Sequence, residues 1–243
     1  FRSHQPGLGK GRPTARRTAQ CPRLKTKKQM EYTLSGIRAA LGVAKKDCLF
    51  HQPDAPVRHL LFDSRQVSQP DSTLFFAMRN GRVDGHIFIK TLFEKGVRCF
   101  VAEPSFRAEA EKLTGANFFF CEKPLGFLQK LAIFHRNQFE IPVVGITGSN
   151  GKTVVKEWLF QLLNADFNIV RSPKSWNSQI GVPMSVWQMG AANDLAIFEA
   201  GISQKGEMAV LEKIIRPTVG IFTHLGAAHD AGFSGQKEKF LEK

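Results

Sequence analysis

Cysteine is scarce: Cys21, Cys48, Cys99 and Cys121 are all the chain has, and none stands in a C-x-x-C pair or at metal-ligand spacing. That spacing argues against a cysteine metal site, and buried or incidental free thiols in a reducing cytosol are the sensible reading. No apolar run approaches the roughly 18 residues a membrane helix needs, so no membrane insertion is expected and the chain reads as cytoplasmic. Tyrosine is nearly missing, with Tyr32 alone, and the phenylalanines fall in apolar runs. A nucleic-acid face of interleaved aromatic and basic side chains is therefore not expected on the folded part. Acidic residues are missing from positions 1–29, which hold nine Lys or Arg. The formal charge of +13 is mostly theirs, since the rest carries 25 basic against 21 acidic residues.

Residues 1–29 also lack apolar periodicity, and so cannot offset the entropy of ordering them. Three readings stay open: an organelle transit peptide, an electrostatic arm for nucleic acid, or sequence upstream of a start at Met30. The recognisable pattern that begins directly after Met30 favours the last. A secretory signal is disfavoured because there is no apolar h-region.

What the chain does have is Gly145-Ile-Thr-Gly-Ser-Asn-Gly-Lys-Thr153, entered from the apolar run Ile141–Ile146 and left along the amphipathic stretch Val154–Leu163. Strand, glycine-rich turn and helix form a phosphate cradle, with backbone N–H groups and the helix dipole facing the anion. Gly148, Ser149, Asn150, Gly151, Lys152 and Thr153 are the candidate nucleotide-binding residues. Lys152 would meet the β/γ-phosphates and the Thr153 hydroxyl a Mg²⁺ ion. The spacing is not the general G-x-x-x-x-G-K-[ST], because position 146 is Ile and the inner glycine is Gly148. That departure either weakens the motif or narrows the family.

Before the loop, helices are expected over Leu34–Leu41, His86–Lys95 (stopped by Gly96), about 106–113 and Leu125–Phe139. Strands are expected over Val57–Phe62, Thr73–Ala77, Arg98–Ala102 and Ala116–Cys121. A domain boundary falls near 139–142. Beyond it strands over Phe167–Arg171, Asp194–Glu199 and Thr218–Thr223 alternate with helices from about Thr153, Ser178–Met189, Gly206–Ile215 and from about Ser234. That alternation predicts a parallel sheet with helices on both faces and ligands at the carboxyl ends of its strands. The loop, Glu199 and the stretch His224–His229 all fall at that end. Glu199 is thereby placed to bind Mg²⁺; a solvated strand-end charge is the plain alternative. His229 would not qualify on composition alone, because Mg²⁺ prefers oxygen.

The phosphate loop resembles that of the Mur ligases, ATP-dependent amide-forming enzymes of peptidoglycan synthesis. Glu199-Ala-Gly201 with Gly206-Glu207, Asn177-Ser-Gln-Ile-Gly-Val-Pro183 and Ala227-Ala-His-Asp-Ala-Gly-Phe233 are similar to family segments, as are Asp63-Ser-Arg65, Leu74-Phe-Phe-Ala77, Gly81 and Asp84-Gly-His86. Gln69-Pro-Asp-Ser72 and Met78-Arg-Asn80 depart from the usual Pro-Gly-Asp and Leu-Lys-Gly. The loop alone would not separate Mur ligases from folylpolyglutamate synthases; the Asp63-Ser-Arg65 domain does, and Asn177–Pro183 favours the D-alanyl-D-alanine-adding branch.

After the basic tail (1–29), which its composition predicts to be disordered, the resemblance implies an α/β fold: a small N-terminal α/β UDP-substrate domain (30–140) and a truncated P-loop-type central ATPase domain with a mainly parallel sheet (141–243), a third domain being absent. It implies ATP and Mg²⁺ as cofactors, and UDP-N-acetylmuramoyl-tripeptide and D-alanyl-D-alanine as partners, joined by a monomer through an acyl-phosphate. Lys152, Glu199 and His229 become catalytic. Thr153, Glu199, His229 and a carbamylated Lys243 become metal ligands, with Lys237 and Lys239 as alternative registers. Ser64, Arg65, Asn80, Gly81, Arg82, Val83, Asn177 and Ser178 become substrate-binding; an Asp63–Arg65 ion pair is the structural alternative. A fragment of this kind should not complete ligation. The competing class is a P-loop-like binding module with a nucleic-acid-binding tail; a regulatory NTPase leaves the Asp63-Ser-Arg65 domain unexplained.

Overall fold

The computed structural model describes residues 31–81, 83–224, 226 and 240–243. The basic tail, Arg82, His229, Lys237, Lys239 and most of the helix expected from Ser234 lie outside them.

The chain enters along β1 (Tyr32–Thr33) and α1 (Leu34–Ala40), where the Thr33 hydroxyl caps the helix by accepting from Gly36 N–H at 3.1 Å. There follow β2 (Cys48–Leu49), β3 (Pro56–Val57), β4 (His59–Leu61), β5 (Thr73–Phe76), β6 (Arg79–Asn80), β7 (Val83–Asp84), α2 (Ile89–Glu94), β8 (Cys99–Ala102), α3 (Arg107–Ala110), β9 (Asn117–Phe120) and α4 (Pro124–Arg136). Five strands form one sheet in the order β2-β9-β8-β5-β4, parallel except for the edge strand β2. Its inner strands are buried on both faces, which is why they read as unbroken apolar runs. Leu74, Phe76, Cys99, Val101 and Phe119 face α1 and α4, while Phe75, Phe100, Phe118 and Phe120 face α2 and α3.

Three local differences from the sequence expectation have simple causes. The strand expected over Val57–Phe62 is divided, because β3 pairs antiparallel with β1 and only β4 joins the sheet. Strand β2 is two residues long, too short to show alternation. The expected helix at His86 opens as a 3₁₀ turn over Gly85–Phe88 before α2, and ends as expected at Gly96, with φ 97°.

The second sheet is built from β10 (Val143–Thr147), α5 (Lys152–Leu163), β11 (Ile169–Arg171), α6 (Gly181–Val186), β12 (Leu195–Glu199), α7 (Glu207–Ile215) and β13 (Val219–Phe222). The order is β11-β12-β10-β13 and every pairing is parallel. Helix α5 covers one face through Val155, Leu159 and Leu163; α6, α7 and the end of α4 cover the other. Helices on both faces are what the alternation called for. Helix α6 is shorter than Ser178–Met189, since the Ser178 hydroxyl accepts from Gly181 N–H and makes a turn of the chain before it.

Helix α4 belongs to both cores. Phe127, Leu128 and Leu131 pack under the first sheet and Ala132 under the second. At its end the fully buried Arg136 donates to the carbonyls of Phe139, Ile215 and Arg216 at 2.7, 2.8 and 3.0 Å. Beside it His135 is buried among Tyr32, Phe139 and Trp187. Its Nδ1 accepts from the Tyr32 hydroxyl at 2.8 Å and its Nε2 donates to the Met189 carbonyl at 3.1 Å. Burial pushes its pKa down to about 4. The unfolded chain then binds more protons than the folded one between about pH 4 and 6.5, so stability falls as pH drops through that window. The full loss is on the order of 3 kcal/mol. Urea unfolding at pH 7 and 4.5 checks this: His135→Gln should unfold with a shallower acid dependence than the parent, and an identical slope would remove the assignment.

Candidate nucleotide and metal site

The phosphate loop leaves β10 and enters α5 as expected, and backbone geometry explains its glycines. Gly148 has φ 137°, and a Cβ there would lie 2.1 Å from the Thr223 hydroxyl. Gly151, at φ 81°, is the N-cap of α5. The end of β13 braces the loop: Ser149 N–H donates to the His224 carbonyl at 2.6 Å, and the Thr223 hydroxyl donates to the Asn150 carbonyl at 2.6 Å. The Ser149 hydroxyl donates to the Gly226 carbonyl at 3.0 Å. Gly148→Ala should therefore displace the loop, costing more than about 1 kcal/mol of stability together with nucleotide binding. Calorimetric titration with ATP checks it, and unaltered affinity would show that the close approach is unimportant.

Two ammonium groups converge on the loop. Lys152 Nζ donates to the Gly148 carbonyl at 2.8 Å and Lys243 Nζ to the same oxygen at 3.0 Å. Facing α5, Glu199 is fully buried at the end of β12. Its Oε2 accepts from the Thr153 hydroxyl at 3.0 Å and lies 3.5 Å from Asn177 Nδ2. Its Oε1 lies 3.0 Å from Lys156 Nζ yet makes no aligned hydrogen bond. A buried carboxylate is thus held by a buried ammonium, so the solvated strand-end alternative for Glu199 does not describe it.

A carboxylate oxygen and a hydroxyl at adjoining positions are hard oxygen donors, and they fit Mg²⁺, which commonly takes one or two carboxylates plus substrate phosphates. Among the described residues there is no cluster of three His, Cys, Asp or Glu able to hold a metal without such help. Lys243 stands at the loop as a donor to Gly148, and His229 lies outside the described residues.

Asn177 and Ser178 sit next to this site with structural tasks. The Asn177 carbonyl accepts from Gly201 N–H at 2.7 Å, and Ser178 makes the turn before α6. The other nominated residues lie in the first unit. Asp63 accepts from Arg65 Nε at 2.9 Å and Nη2 at 2.7 Å, which is the ion pair weighed as the structural alternative. The pairing holds the Asp63 carboxyl down at about 2. With the Arg65 side chain exposed, the pair contributes little to stability. Ser64 opens the short 3₁₀ turn that Asp63 caps. Asn80 and Val83 pair across the β6–β7 hairpin, with Gly81 at its tip. In Asp84-Gly-His86, His86 Nδ1 donates to Asp84 at 2.6 Å and Nε2 accepts from Glu103 N–H at 3.0 Å. A Cβ at Gly85 would meet the Met78 backbone at 2.7 Å, so this motif pins the hairpin to the end of β8.

Sequence reasoning missed Lys156, Ser172 and Thr223. A lysine one helical turn after Lys152 was the available signal for the first; the other two act through backbone contacts that carry no motif.

Models of two protein families match the chain: the Mur ligase family catalytic domain over residues 56–136, and the Mur ligase middle domain over residues 146–243. The chain belongs to the Mur ligase family. Among curated Mur ligases, it is 33% identical over 187 residues to the UDP-N-acetylmuramoyl-tripeptide–D-alanyl-D-alanine ligase of Borreliella burgdorferi, and 34% identical over 188 residues to that of Treponema pallidum. These matches cover 74% and 75% of this chain and 40% of each relative, so the chain spans about two fifths of their length. A crystal structure of MurF from Acinetobacter baumannii superposes with TM-score 0.77 at 25% identity, covering 88% of this chain and 46% of that one. MurF ligase from Thermotoga maritima in complex with ADP superposes with TM-score 0.66 at 28% identity, covering 76% and 42%. The α/β fold and its parallel sheets are those of this Mur ligase group. Among the described residues no helix is long and apolar enough to cross a membrane.

Proposed function

We propose that this chain forms the UDP-substrate-binding and ATP-binding parts (30–140 and 141–243) of a cytoplasmic, monomeric ligase. Its reaction adds D-alanyl-D-alanine to UDP-N-acetylmuramoyl-tripeptide. The observation that carries the reading is the meeting, at the carboxyl ends of β10 and β12, of the phosphate loop, the Lys152 and Lys243 ammonium groups and the Thr153–Glu199 oxygen pair. Relatives of that name support the choice of substrates.

In this reading the tripeptide carboxylate attacks the γ-phosphorus of ATP, ADP leaves, and the dipeptide amine then displaces phosphate from the acyl-phosphate. No protein nucleophile takes part, so the residues contribute position and charge. Gly148–Thr153 cradle the phosphates, and Lys152 neutralises charge that grows on the transferring group. Thr153 and Glu199 would hold Mg²⁺, with His229 and a carbamylated Lys243 as the further ligands that the family resemblance implies. Bound Mg²⁺ supplies further neutralisation of the phosphate oxygens. Ser64, Arg65 and the 80–83 turn hold the UDP end, with Asn177 and Ser178 nearer the reacting carboxylate.

Titrating the chain with UDP-N-acetylmuramoyl-tripeptide and with duplex DNA, at low and high salt, tests this. The UDP substrate should bind the chain with or without residues 1–29, and any DNA affinity should vanish with that tail and fall steeply with salt. Salt-resistant DNA binding that survives the deletion, without UDP-substrate binding, would favour a nucleic-acid-binding module instead.

A further inference from the structure

Lys156 is a lysine with no solvent exposure at all, on the face of α5 that carries Lys152 one turn earlier. A packing role alone does not account for it, because an apolar side chain would fill the same space without the cost of burying charge. Its ammonium donates to the Ser172 carbonyl at 2.9 Å and to the Lys174 carbonyl, and lies 3.0 Å from Glu199 Oε1. Glu157 Oε1 is also 3.2 Å away. The Ser172 hydroxyl in turn accepts from Glu199 N–H at 3.1 Å. One cation therefore grips both the carboxylate and the turn that follows β11, where Lys174 is held at φ 49°. That turn leads directly to Asn177, which lies against Glu199 Oε2.

The two oxygens of Glu199 consequently differ. Oε1 faces the Lys156 ammonium as an ion pair without an aligned hydrogen bond, and Oε2 accepts from the Thr153 hydroxyl. We infer that Lys156 is a positioning residue of the magnesium–nucleotide site, which occupies one oxygen of Glu199 so that the other alone is offered to the metal. This rests on the reading that Mg²⁺ and ATP bind here. Its effect runs through Glu199, not through the phosphate cradle, and that separates it from a residue that merely supports the fold.

The test is calorimetric titration of the full chain with ATP, once with Mg²⁺ and once with EDTA, for the parent, Lys156→Met, Glu199→Gln and the double variant. In Lys156→Met the affinity gained on adding Mg²⁺ should fall about tenfold or more, the usual cost of losing a residue that orients a metal ligand. Affinity in EDTA should stay at the parent level. The double variant has neither buried charge and remains informative if Lys156→Met alone does not fold; its Mg²⁺-dependent gain should equal that of Glu199→Gln. The inference is overturned if Lys156→Met keeps the parent's gain, if both affinities fall together, or if the double variant loses more than Glu199→Gln. A parent chain that binds ATP without any Mg²⁺-dependent gain would overturn the site reading as well, which distinguishes the two failures.

Discussion

Replacing Lys152 by Ala should lower ATP-dependent acyl-phosphate formation by roughly 10²–10³-fold, the typical cost of removing one preorganised donor to developing charge. The melting temperature should barely move. Lys152 is buried, but its ammonium donates to the Gly148 and Ser149 carbonyls of its own loop, so what is lost is local to the loop. Trapping the acyl-phosphate with hydroxylamine, in a polypeptide of the relatives' full length, gives the readout. Turnover at the parent rate would show that the loop does not hold the transferring phosphate.

Glu199→Ala should be the most destabilising substitution in the site. It leaves Lys156 charged and with no solvent exposure, its buried partner gone and the part-exposed Glu157 carboxylate, 3.2 Å away, as its remaining ion-pair partner. Breaking a buried pair by removing one partner costs about 3–5 kcal/mol. Urea unfolding at pH 7 measures it, with the double change of Lys156→Met and Glu199→Ala as the control that should recover much of the loss. A cost below about 1 kcal/mol would mean that the pair is far better solvated than its burial indicates.

These two residues mark what could be read from the sequence. Lys152 was legible because the phosphate loop is local: strand, turn and helix follow one another, and each has its own period or glycine. Glu199 was legible as a strand-end carboxylate, since parallel strands bring their carboxyl ends together. The alternation after residue 141 likewise yielded the four-stranded parallel sheet. Lys156 was not legible, because its partners come from two other segments, the turn holding Ser172 and Lys174 and the end of β12 holding Glu199, and a helical lysine ordinarily reads as solvent-facing. The divided strand at Arg58 was hidden for a related reason: an apolar run shows that a strand is buried, not which strand it pairs with. Asp84-Gly-His86 was recognised as a motif, but its task of fastening the β6–β7 hairpin to β8 depends on the backbone of Met78 and Glu103, which no spacing reveals.

The most direct measurement of the central claim is phosphate release from ATP, followed together with the mass of the UDP-linked product, in a polypeptide of the relatives' full length that contains these residues. Release should require both UDP-N-acetylmuramoyl-tripeptide and D-alanyl-D-alanine, and the product should gain one D-alanyl-D-alanine unit for each phosphate released. Release that is indifferent to the dipeptide, or a product extended by a different amino acid, would contradict the assignment.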